Sequence, residues 1–130
     1  MVDLLKAIMD KYDGDTDLKA ALSGGLYHLE AKQGVTFPYG VFYIVSDVPN
    51  WTFTSNMEEV VIHFNLFSKA NSVTEIGDLF TKLKTCFDWC TLDISNYHSI
   101  YMKRELSEPL PKMGKVWQYA ISYRGLFEEI

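Results

Sequence analysis

The stretch Met57-Glu-Glu-Val-Val-Ile-His-Phe-Asn-Leu-Phe-Ser-Lys-Ala-Asn-Ser-Val-Thr-Glu-Ile-Gly-Asp-Leu-Phe-Thr-Lys-Leu-Lys-Thr-Cys-Phe-Asp-Trp-Cys90 decides the fold. In its first half Val60, Ile62, Phe64 and Leu66 alternate with Val61, His63, Asn65 and Phe67. A period of two is what a strand with one buried face requires. The period then changes. Val73, Ile76, Leu79, Phe80, Leu83, Cys86, Phe87 and Cys90 recur at three- and four-residue spacing, one apolar stripe of an amphipathic helix. Asp78, Lys82, Lys84 and Asp88 lie largely off that stripe and are expected to face water. Between the two halves, Ser72-Val73-Thr74-Glu75 fits a capping box, in which hydroxyl and carboxylate satisfy each other's backbone N–H groups. The unit is therefore a strand and a helix whose apolar faces close on each other.

On the N-terminal side, Leu4, Leu5, Ile8, Met9 and Tyr12 make a second helical stripe, with Asp3 placed as its N-cap and Gly14 as its stop. Asp17 to Leu22 reads as a short helical piece, and Leu26 to Glu30 as a first strand. Pro38 lacks a ladder donor, so the second strand is expected to begin at about Tyr39 and run to Ser46, apolar on both faces. Asp47 to Asn56 reads as a polar loop that carries Trp51 and Phe53. On the C-terminal side, Asp93 to Asn96 reads as a turn and Tyr97 to Leu106 as a fourth strand. Ser107 to Lys115 reads as a loop too rich in proline to pair, and Val116 to Tyr123 as a fifth strand that the tail to Ile130 could extend or use to dock a partner. Trp117, Tyr119, Ile121 and Tyr123 share one face of it. Strands joined by loops favour antiparallel pairing. The expected fold is α+β, a twisted antiparallel sheet of four to five strands with two helices on one face, in one domain spanning 1–130.

At 130 residues, 48% apolar and 15% aromatic, the chain is long enough for a core without disulfides or metal. Its net charge is −5 and its basic residues are dispersed, which argues against a general nucleic-acid binder. The aromatics lack the basic groove that a single-strand stacking platform needs. The N-terminus has no signal-peptide pattern and no apolar run approaches a membrane span, so a soluble, intracellularly made protein is expected.

Motifs that carry chemistry are missing. The chain has no G-x-G-x-x-G, P-loop, H-E-x-x-H or G-x-S-x-G. His28, His63 and His98 fall on three different expected strands, where satisfied or exposed histidines are a better reading than a zinc site. Glu58-Glu59 and Glu128-Glu129 are adjacent, so within a strand their side chains diverge, and solvated strand ends are the reading for both pairs. Cys86 and Cys90 read as small buried apolar residues, because a regular helix rarely offers such a pair disulfide geometry. No catalytic, cofactor or metal residue is assigned. Trp51, Phe53, Leu110 and Met113 are the expected subunit-interface residues, being apolar side chains on long loops of a small domain, and for Trp51 and Phe53 a place folded back into the core is an equal alternative.

The segment Leu18 to Ile44 resembles the tail completion or tail terminator proteins of tailed bacteriophages. The residues that carry the likeness are the strand from Gly24 to Leu29, the Gln33-Gly34 connection, and Pro38-Tyr39 opening the apolar run Gly40 to Val45. The strand ending in Phe67-Ser68, the helix after it and the aromatic strand Trp117 to Tyr123 are also similar to that family. Lys32 stands where many members have proline, and the Trp51 loop is individual. The resemblance implies a homo-oligomeric ring, commonly a hexamer, that caps the tail tube and joins it to the head connector. It implies no catalysis, no cofactor, no sequence-specific nucleic-acid binding and no membrane, and a place in the tail or neck of a virion made in the bacterial host cytoplasm. Two readings from other classes stand beside it. One is a small α+β module binding a protein or ligand at a sheet edge, and the other an enzyme with His63 or His98 as base.

Overall fold

The computed structural model describes residues 2–51 and 54–130. Its elements follow in the order α1 (Val2–Asp13), α2 (Thr16–Ala21), β1 (Leu26–His28), β2 (Tyr39–Trp51), β3 (Asn56–Ser68), α3 (Thr74–Phe87), β4 (Tyr97–Met113) and β5 (Val116–Glu129). The fold is α+β with a five-stranded sheet in the order β1-β2-β3-β5-β4. The sheet is mixed and not purely antiparallel, because β1 pairs parallel with β2 while every other pairing is antiparallel. A parallel neighbour needs a crossover, and residues 29–38 supply one without a helix. The described residues form three helices: the two amphipathic ones and the expected short helical piece, which runs Thr16–Ala21 and is capped by Asp15 Oδ1 accepting from the Leu18 N–H at 2.9 Å.

The core lies between the helices and one sheet face. Val60, Ile62, Phe64 and Leu66 are all fully buried there, as the alternation requires. They meet Ile76, Leu79, Leu83 and Phe87 of α3 and Leu4 and Ile8 of α1. Phe64 sits at the centre, its ring 4.9 Å from Phe87, 5.8 Å from Tyr123 and 5.9 Å from Phe42. The opposite sheet face carries no helix, and Val61, His63, Asn65 and Phe67 on it are half-buried.

Several local expectations fail for identifiable reasons. The stretch 47–56 is chiefly a hairpin, with Asp47 to Trp51 paired against Val60 to Asn56. The stretch 107–115 is likewise strand up to Met113, turning at Gly114. Pro109 and Pro111 are tolerated because β4 is an edge strand, where a missing N–H disrupts no second ladder. Asp3 lies inside the first turn of α1, not before it. Val73 is exposed and the capping box does not form. The Glu75 carboxylate accepts instead from the buried Ser68 hydroxyl at 2.6 Å, and Ser72 Oγ reaches only the Thr74 N–H at 3.4 Å. Asp88 is half-buried, engaged by Tyr123 and Arg104. The tail does extend β5, as far as Glu129.

Candidate functional site

The sheet register separates the groups that chemistry would need together. His63 pairs with Ser122, whereas His98 pairs with Glu128, which faces Met57. Six residues of strand, about 20 Å, lie between those two levels. His63 is held within the sheet, its Nδ1 2.9 Å from Ser122 Oγ and its Nε2 3.1 Å from Asn65 Oδ1. His28 and His98 are exposed on β1 and β4. Among the described residues no three of His, Cys, Asp and Glu cluster as a metal site. Cys86 and Cys90 are free thiols, and burial pushes them up to about 12 and about 11. Burial thus favours the protonated thiol over the thiolate at both positions.

The charged groups on the sheet engage one another. On the helix-free face Arg124 donates to Glu105 at 2.6 Å and to Glu59 at 3.3 Å, and its hydrogen bond holds the Glu105 carboxyl below the usual range. On the other face Asp88, at the C-terminus of α3, accepts from Tyr123 Oη at 2.6 Å and from Arg104 Nε at 3.2 Å. Arg104 in turn donates to Ser107 Oγ at 2.6 Å. Glu58 and Glu59 diverge as adjacent strand residues must, yet neither is a solvated end. Glu58 turns to the helix side, where its Oε1 accepts from Tyr97 Oη at 3.3 Å and its Oε2 is buried. Burial, reinforced by the Asp47 carboxylate, raises its pKa above the usual carboxylate value.

The four expected interface residues do not form one patch. Trp51 closes β2 at one end of the sheet and is 73% exposed, so it is not a folded-back core residue. Phe53 lies outside the described residues. At the opposite end Leu110, half-buried, stands level with Phe67 through Gln118, and Met113, exposed, lies beyond the Ser68–Trp117 pair. All three described members sit on strands, not loops.

Sequence reasoning passed over Trp89. It follows the C-cap Asp88 with φ at +55°, its N–H donating to the Met102 carbonyl at 2.7 Å, and its side chain is 68% exposed. Its ring meets Tyr101 edge-on at 6.4 Å. A tryptophan directly after the helical stripe, where glycine usually stops a helix, was the available signal.

No model of a protein family matches the sequence, and no curated protein matches it. Among solved structures, a chain of the "Virion of native gene transfer agent (GTA) particle" superposes with a TM-score of 0.77 over 93% of this chain and 91% of that one, at 9% identity. At that identity the match establishes a shared fold.

Proposed function

We propose that this protein is a structural component of a phage-like virion, a tail terminator or tail completion protein. In this reading, copies assemble into a homo-oligomeric ring, a hexamer, that caps the tail tube and joins it to the head connector. The observation that carries the reading is the near-full-length superposition on a chain of a gene transfer agent virion. The resemblance of Gly24 to Val45 and of the strands ending in Ser68 and Tyr123 to tail terminators supports the finer assignment. The site geometry is consistent with a role without catalysis: the charged groups pair with one another, and the histidines stand apart. A net charge of −5 also suits a ring through which DNA slides without adhering.

The test is genetic and visual. Removing the gene from a genome that encodes it should leave filled heads and separate tails, with joined particles restored by supplying the protein. Normal joined particles in its absence would refute the proposal.

A further inference from the structure

Trp89 poses a physical problem that the isolated chain does not solve. The left-handed region costs a non-glycine residue about 1–3 kcal/mol, and glycine would occupy this helix terminus without strain. The chain places its largest side chain there and leaves it 68% exposed. Little burial within the domain offsets the strain. Asp88, fixed by Tyr123 and Arg104, and the Trp89 N–H on Met102 anchor the backbone that carries the indole beside the edge of β4. An exposed aromatic on an anchored backbone is a candidate interface anchor.

The surroundings extend the pattern. Ile100 occupies a bulge in β4 and Leu106 stands just past another, both exposed on the same flank. Across the sheet, the β1–β2 flank presents the same features. Leu29 is exposed with φ at +68°, Val45 is exposed in the bulge of β2, and Val48 is exposed beyond it. Bulges re-aim side chains and end regular pairing, and here they turn apolar groups outward on both flanks.

The register sets the two flanks at equal heights. Val48 pairs with Glu59, Glu59 with Leu126, and Leu126 with Tyr101, which touches Trp89. Leu29 follows His28 and so stands level with Tyr43, which leads through His63 and Ser122 to Leu106. Segments 28–30 and 45–51 carry Glu30 and Asp47 and no Lys or Arg, while on the other flank Asp88 and Glu105 engage Arg104 and Arg124 within the chain, so that Lys103 carries the remaining formal charge, opposite in sign. Pro49, Pro109, Pro111 and the bulges blunt both edges against ladder extension. Contact between flanks must therefore run through side chains.

We infer that the two flanks are the halves of one contact between copies of this chain, with Trp89, Ile100 and Leu106 of one copy packed on Leu29, Val45 and Val48 of the next. The contact is heterologous, because each copy offers one flank to each neighbour. Equal heights on the two flanks remove the rise that would turn such a series into a helix about an axis along the strands. The inference rests on the self-association proposed above and names the surfaces that make it.

Two experiments on the full-length chain test it. Sedimentation velocity across concentrations should show Trp89→Gly weakening association at least about tenfold, with a denaturant midpoint equal to or above wild type because the strain is relieved. In a Cys90→Ser background, Val48→Cys with Ile100→Cys should give a disulfide-linked ladder beyond the dimer under mild oxidation, and each single cysteine no ladder. If wild type associates and Trp89→Gly associates equally well, or if the double-cysteine protein associates without cross-linking, these surfaces are wrong while the ring reading stands. If wild type remains monomeric at every concentration, both fail.

Discussion

Removing one hydroxyl should measure how firmly α3 is tied to the sheet. Tyr123 is fully buried, and its Oη donates to Asp88 Oδ1 at 2.6 Å. Asp88 also receives Arg104 Nε at 3.2 Å, and the two side chains are 24% and 30% exposed. Tyr123→Phe keeps the ring on Phe64 and Phe87 and deletes only the hydrogen bond. A hydrogen bond to a charged acceptor contributes about 1.5–3 kcal/mol. Because Arg104 and water still reach Asp88, the lower half of that range applies, about 1.5–2 kcal/mol. For a chain of this length the melting temperature should fall by about 5–8 °C. Urea denaturation followed by tryptophan fluorescence gives the value directly. The carboxylate should be the partner that matters, so in an Asp88→Asn background the same Tyr→Phe change should cost about half as much or less. A loss below about 0.5 kcal/mol in the wild-type background would show that the Asp88 contact does not tie the helix terminus.

Leu83→Ala should destabilise by about 2–5 kcal/mol, since Leu83 is completely buried at the centre of the α3 stripe; denaturant midpoints report it. Ser68→Ala should cost about 1–2 kcal/mol, and Ser72→Ala less than about 0.5 kcal/mol, because Ser68 and not Ser72 engages Glu75. The reverse order in parallel melts would restore the capping box. Glu58 has a folded pKa raised above its ordinary value of 4.5, first by burial and then by Asp47. A raised carboxyl binds its proton more tightly in the folded state, so its contribution is fully present below 4.5 and is lost as pH rises through the folded value. Glu58→Gln should therefore flatten the decline in stability between acidic and neutral pH, measured as midpoints at a series of pH values.

The parts of the fold set by periodicity were readable from residues alone. Val60 to Leu66 and Ile76 to Phe87 announce their buried faces because each side chain repeats at the spacing of its element. The two hairpin arms were not readable. Pro49, Pro109 and Pro111 signal loops locally, and only the edge position of β4 and the shortness of β1 beside β2 show that these residues have a free side where a lost donor is harmless. The parallel pairing of β1 depends on a ten-residue crossover without helical pattern, so nothing in its sequence marks it. The same limit explains the candidate surfaces. Trp51 and Met113 are exposed, and register places them at opposite ends of the sheet. The level matching of Val48 and Tyr101 exists only through three strand pairings. Trp89 was visible as an odd residue at a helix end, while its left-handed backbone and exposure required the structure.

Native mass spectrometry of the purified chain, taken over a range of concentrations, tests the proposed ring most directly. The account predicts one closed homo-oligomer, with six copies as the dominant species and its population rising with concentration at the expense of monomer. A spectrum of monomer alone at every concentration, or a series of lengths without a closed species, would contradict it.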